Sequence, residues 1–213
     1  MSNMKYWSIG LGLGLACCLS GMVGAAVYEN DFEAAELGEV PAEMLVMDGG
    51  FAVCEFEQGR VLELPGAPLE TFGVLFGGSA RDGVEVGVRV HSSRKGRRYP
   101  VFAVSAGGVS GYRLQVSPAK GALELLKGEQ LLSSVDWQWK GGEWTHLRLA
   151  VEKTAEGAWS IRGKAWMEGE EEPGSWLLVE TVEDQPPNGK GGIWGKPFAG
   201  TAIRFDDVRV EIQ

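Results

Sequence analysis

Histidine and cysteine are nearly absent from this 213-residue chain: two of the first, three of the second. No Cys/His spacing suited to a zinc site exists, and no Gly-x-Ser-x-Gly elbow or phosphate-cradling Gly loop with Lys-Ser/Thr appears. Basic residues are in deficit, with 20 Lys and Arg against 29 Asp and Glu and a net charge of −9. That balance argues against nucleic acid and against anionic membrane surfaces as partners. Helical periodicity is almost missing, and so are long apolar runs, with one exception at the N-terminus.

The exception runs from Trp7 to Val23, behind the single charge of Lys5 and ahead of the small residues Gly24, Ala25 and Ala26. A charged start, a short apolar middle and a small-residue end are the layout of a secretory signal peptide. Residues 1–26 are expected to be removed after Ala25 or Ala26. The rest, 27–213, is then a single secreted or periplasmic domain with no membrane insertion after cleavage. Lipid attachment at Cys17 would need a leucine three positions earlier, and Gly14 stands there. Cys17 and Cys18 leave with the leader, so Cys54 is alone and no intrachain disulfide forms. A chain of this length buries roughly 70% of its unfolded surface and can rely on its core.

Alternation is what the sequence has in place of helix. Val84, Val86, Val88 and Val90 share one parity, with Glu85, Arg89 and His91 on the other. Tyr112, Leu114 and Val116 alternate with Arg113, Gln115 and Ser117, and Leu147, Leu149 and Val151 with His146, Arg148 and Glu152. Each is a strand with one buried face. The mostly apolar run Val101–Ala106 predicts a strand covered on both sides. Turn signals recur about every 8–12 residues, as in Arg94–Arg98, Gly107–Gly111 and Ser117–Gly121. Many short strands at this spacing predict an all-β, antiparallel sandwich or barrel. Residues 34–48 are expected to be a loop or short helix. Ile203 and Phe205 are odd, whereas Val208, Val210 and Ile212 are even, which predicts a bulge at Asp206 and Asp207.

Three segments carry a resemblance: the opening Tyr28–Glu33, the closing Ile203–Val210, and Glu143-Trp-Thr-His-Leu-Arg-Leu149. With Gly163–Gly169 and Glu172–Trp176, they resemble the concanavalin A-like lectin/glucanase jelly rolls, including the laminin-G-like domains of secreted bacterial proteins. The resemblance implies a two-sheet antiparallel β-sandwich whose N- and C-terminal strands are neighbours. It implies a place among sugar-binding modules, glycosidases and the many such domains with no known ligand, without choosing between them.

Four groups of residues could carry chemistry. Glu29, Asp31 and Glu33 have the Glu-x-Asp-x-Glu spacing of the resembled glucanases. On a strand they would share one face, and a retaining mechanism needs two carboxyls about 5–5.5 Å apart. Asp31 or Glu33 could meet Asp206 or Asp207 across paired terminal strands and hold a structural calcium. Trp137, Trp139, Trp166 and Trp194 are candidate sugar platforms, with Arg113 and His91 as polar partners on outward parities. Trp144 and Trp159 are expected in the core. Arg94, Lys95, Arg97 and Arg98 form a basic cluster, either a solvated hairpin tip or a dock for an anionic polymer. The leading expectation is an exported, non-catalytic module that binds a glycan or a surface partner and has no obligatory cofactor. The alternatives are a glycan-active hydrolase or lyase and a purely structural docking domain.

Overall fold

The computed structural model describes residues 25–67, 70–198 and 200–213. Nearly all of the expected leader lies outside the described residues. The strands in chain order are β1 (Ala26–Asn30), β2 (Leu45–Asp48), β3 (Ala52–Phe56), β4 (Gly59–Leu64), β5 (Phe72–Ala80), β6 (Val84–Ser92), β7 (Val101–Ala106) and β8 (Tyr112–Ser117). They continue with β9 (Ala122–Lys127), β10 (Gln130–Asp136), β11 (Trp144–Lys153), β12 (Trp159–Met167), β13 (Leu178–Val182), β14 (Gly189–Lys196) and β15 (Ile203–Ile212). No helix occurs among the described residues.

The strands form two antiparallel sheets. The first, eight-stranded, runs β13-β12-β11-β6-β15-β4-β3, with β1 also paired to β15. The second, seven-stranded, runs β10-β9-β8-β7-β14-β5-β2. The alternating valines of β6 point inward at 0–4% exposure and meet Phe76, Phe102, Leu114, Leu149 and Phe205 in one apolar core. Trp159 belongs to that core.

The phase change in β15 is a bulge, as the sequence predicts. Pairing with β6 slips between Asp206 and Arg209, and Asp207 takes φ 47°. The bulge splits one edge of β15 in two: Ile203–Phe205 pair with β4 and Val208–Ile212 with β1. The first and last strands are therefore neighbours.

Two local expectations fail. Residues 34–48 are neither all loop nor helix, because Leu45–Asp48 pair with β5 as an edge strand exposed throughout. The opening strand stops at Asn30 instead of continuing to Glu33. Asn30 Oδ1 accepts the Phe32 amide at 2.8 Å and Asp31 Oδ1 accepts the Glu33 amide at 3.1 Å. Such side-chain bonds offer the backbone a turn in place of a ladder. Phe32, at φ 59°, then drops into the core with no exposure.

Candidate functional site

On the eight-stranded sheet, outward arginines keep contact with solvent, Arg89 at 29%, Arg148 at 34% and Arg204 at 24% exposure, while outward Trp144, Lys164 and Asp206 lie at 8%, 8% and 4%. On the seven-stranded sheet, outward side chains are submerged. Ser105, Arg113, Ser117, Glu124 and Trp194 lie between 2% and 7% exposed, although their strand parity points them away from the core. These outward groups cover one another in a closely packed polar row.

Two linked groups build it. Trp194 on β14 lies flat across the sheet, because β5 carries Gly73 opposite it, where a Cβ would overlap the indole. Its Nε1 donates to Ser105 Oγ on β7 at 2.7 Å. Arg113 reaches from β8 to stack its guanidinium 5.0 Å from the indole centroid. Burial pulls the Arg113 pKa down, with Glu129 acting the other way. Next to them, Glu124 on β9 accepts Ser117 Oγ at 2.5 Å, Gln115 Nε2 at 3.1 Å and Lys120 Nζ at 2.6 Å. Burial alone would raise the Glu124 pKa, but these bonds outweigh it and hold the carboxyl below its usual range. From β14 to β9 is three strand spacings, about 14 Å, the span of a short oligosaccharide.

The six ligand-binding candidates do not form one site. Arg113 and Trp194 are the pair that meets, though Trp194 is covered by the arginine instead of standing exposed. Trp137 and Trp139 share a side, but the segment between β10 and β11 turns them onto the core, and Trp139 packs edge-on against Phe102 at 5.9 Å. Trp166 is on the opposite sheet, stacked on His146 at 5.0 Å and 6°. His91 is on that sheet too, half-buried between Phe56 and Trp144. Burial lowers its pKa, and Nδ1 has no partner among the described residues. Trp144 is buried as expected, but on the outer face, beneath Arg89 at 4.5 Å, and not in the core.

A larger pocket, about 690 Å³, lies on that face and is lined by Glu33, Phe56, Glu57, Arg89, Trp144 and Asp206. It brings Glu33 and Asp206 to one place. Arg89 bridges the two aspartates of the bulge, with Nη2 2.7 Å from Asp206 Oδ2 and Nε 2.9 Å from Asp207 Oδ2. Asp206 Oδ1 accepts the Asp207 amide, and Glu33 Oε1 the Arg60 amide. Asp31 is spent on its turn. No group of three or more His, Cys, Asp or Glu is placed to hold a metal among the described residues. The catalytic spacing fails for the same local reason: β1 ends before Asp31, Glu29 is paired to Arg209 at 2.5 Å, and Glu33 faces the β4 backbone. The basic cluster sits on a tight turn closed by Lys95 and Arg98.

No known protein family matches the sequence, and no curated protein does. Solved structures do match. A carbohydrate-binding module, CBM66 of Bacillus subtilis, aligns with 78% of this chain and 94% of its own at 11% identity and TM-score 0.54. The exoplasmic/lumenal domain of VIP36, in a Ca²⁺- and mannose-bound form, aligns over 87% and 88% at 9% identity and TM-score 0.54. Bacillus licheniformis β-glucanase aligns over 88% and 98% at 10% identity and TM-score 0.53. The fold is a concanavalin A-like jelly roll. At these identities the likeness speaks for the sandwich and not for any residue's role.

Sequence reasoning missed Ser105, Gln115, Ser117, Lys120 and Glu124. Glu124 was findable: it is a lone acid among Ala122, Leu123, Leu125 and Leu126, two of which face outward with it.

Proposed function

We propose that this chain is an exported, non-catalytic carbohydrate-binding module whose ligand lies across the outer face of the seven-stranded sheet. The observation that carries the reading is the submerged polar row on that face, Trp194–Arg113 beside Gln115–Glu124. A sugar-binding surface needs flat rings and guanidinium planes for apolar contact and fixed polar groups for orientation. Carbohydrate-binding and lectin neighbours support the reading at the level of the fold. Export is the part of the reading that rests on the N-terminal leader pattern.

The row favours binding over turnover. Glu124 is held ionised by three donors, which is the opposite of a general acid with a raised pKa. The outward positions of β7, β8, β9 and β14 carry no histidine or tyrosine to take a proton. On the other sheet Arg89 pairs with Asp206 and Asp207 at the bulge. The docking alternative calls for a broad apolar patch. Large exposed apolar residues are scattered, apart from Leu45, Val46 and Met47 on β2.

A glycan array on the purified protein, with a reducing-sugar release assay alongside, tests the proposal. Binding without release supports it. Release of reducing ends would move the chain to the hydrolases.

A further inference from the structure

Arg113 stands apart from the arginines of the eight-stranded sheet. Arg89, Arg148, Arg162, Arg204 and Arg209 each lie within 3.0 Å of a carboxylate oxygen. Arg113 is 6% exposed and makes no hydrogen bond to any described residue. Glu129 forms a loose ion pair with it, 3.7 Å away on an 80% exposed side chain that a ligand can displace. None of the buried polar atoms left without a partner belongs to Arg113, so its N–H groups reach solvent, where an acceptor can meet them.

The local geometry says what would pair it. Its guanidinium carbon lies over the Trp194 ring, 5.0 Å from the centroid, which restricts where the group can move. Thr71, Gln115 and Lys196 flank it on the same face. Glu124, the nearest buried acid on the face, is already saturated by Lys120, Ser117 and Gln115. Arg113 and Lys196 therefore make a cationic spot in a chain of net charge −9. A guanidinium fork matches a planar or tetrahedral oxyanion, and a bidentate pair adds orientation to strength.

We propose that Arg113, stacked on Trp194 and assisted by Lys196, is an oxyanion-binding subsite that reads a carboxylate or sulfate carried on a sugar. This rests on the glycan-binding reading and narrows it from carbohydrate to acidic carbohydrate. Both sources offer the same chemistry, paired oxygens on a ring substituent. The negative charge of the rest of the chain makes the contact local: it selects charged units in a glycan without attracting polyanions at large.

The test is isothermal titration of the full domain with three oligosaccharides of equal length: a uronic acid oligomer, the same oligomer with its carboxyls reduced to alcohols, and a sulfated neutral oligomer. The uronate, the sulfated oligomer or both bind, and the carboxyl-reduced oligomer binds roughly tenfold to a hundredfold more weakly, the worth of charge-assisted hydrogen bonds. Arg113→Gln removes that preference, and Arg113→Lys, which keeps the charge but not the fork, restores part of it. Thermal melting of each variant verifies folding, and Lys196→Gln offers a milder second variant should Arg113→Gln misfold. Equal binding of charged and reduced oligomers, unaffected by Arg113→Gln, overturns the oxyanion subsite and leaves glycan binding standing. Acidic binding lost in Arg97→Gln/Arg98→Gln but kept in Arg113→Gln assigns it to the basic turn and overturns the subsite. No binding of any oligomer overturns both.

Discussion

Replacing Glu124 with Ala tests whether the polar row is built as described. The change removes an acceptor of three hydrogen bonds from a site 3% exposed. Its donors do not suffer equally. Lys120 has a side chain 65% exposed and returns to water, and half-buried Gln115 regains part of its hydration. Ser117, at 3% exposure, keeps a hydroxyl with no acceptor. An orphaned buried polar group costs about 1–3 kcal/mol, and loss of charge-assisted bonds adds to it. The expected penalty is about 2–3 kcal/mol, or about 4–12 °C in Tm for a domain of this size. Glu124→Gln keeps the shape and one acceptor oxygen and is expected to cost about 1 kcal/mol. The pH dependence has a definite sign. Glu124 has a folded pKa below its unfolded one, so its contribution is complete above the unfolded value of about 4.3. It is lost as pH falls through the folded value. The assay is urea unfolding of wild type and both variants from pH 7 to pH 3, with constant m confirming that the denatured states match. The gap between wild type and Glu124→Ala should hold from pH 7 to about 5 and shrink below. A variant as stable as wild type, or a gap indifferent to acid, refutes the row.

Gly73→Ala places a methyl against the Trp194 indole, 2.9 Å from Cδ2, and should cost about 1–3 kcal/mol in urea unfolding while weakening glycan binding by displacing the ring. Arg89→Ala strands Asp206, which is 4% exposed, and should cost about 2–3 kcal/mol, below the figure for a fully buried pair because Arg89 reaches solvent. Burial already raises the Asp206 pKa against the pull of Arg89, so in this variant ionised Asp206 opposes folding. The penalty should be largest at pH 7 and fall as acid protonates the carboxyl. Excess chelator should leave the melting temperature unchanged, because Arg89 bridges the two aspartates of the bulge; a clear drop would reinstate the ion. Trp139→Ala should cost about 3 kcal/mol in the melt yet leave glycan affinity untouched, since its ring seals the core against Phe102.

The strands were legible because each buries one face. Period-two alternation marks β6, β8 and β11, and the odd-to-even switch after Phe205 marks the bulge before any coordinate does. The strand β2 was not, because all four of its residues are exposed and it pairs along one edge with no face to bury. Nor was the end of β1: Asn30 and Asp31 suit a strand's parity, and their turn-forming bonds decide otherwise. For the site, parity placed Arg113 outward correctly, but it could not say which outward side chains cover one another. Trp194 is covered because Arg113 lies 5.0 Å from its ring centroid, and Ser105, Ser117 and Glu124 are hidden by side-chain partners that parity does not reveal.

Two-dimensional ¹H–¹⁵N NMR of the labelled protein, titrated with an oligosaccharide that the array selects, tests the central claim most directly. Perturbations should fall on the indole N–H of Trp194 and on the amides of Ser105, Arg113, Gln115, Ser117 and Glu124, leaving the Trp144 indole and the amides of Glu33 and Glu57 in place. Shifts centred on Trp144 and its 690 Å³ pocket, with the polar row silent, would contradict it.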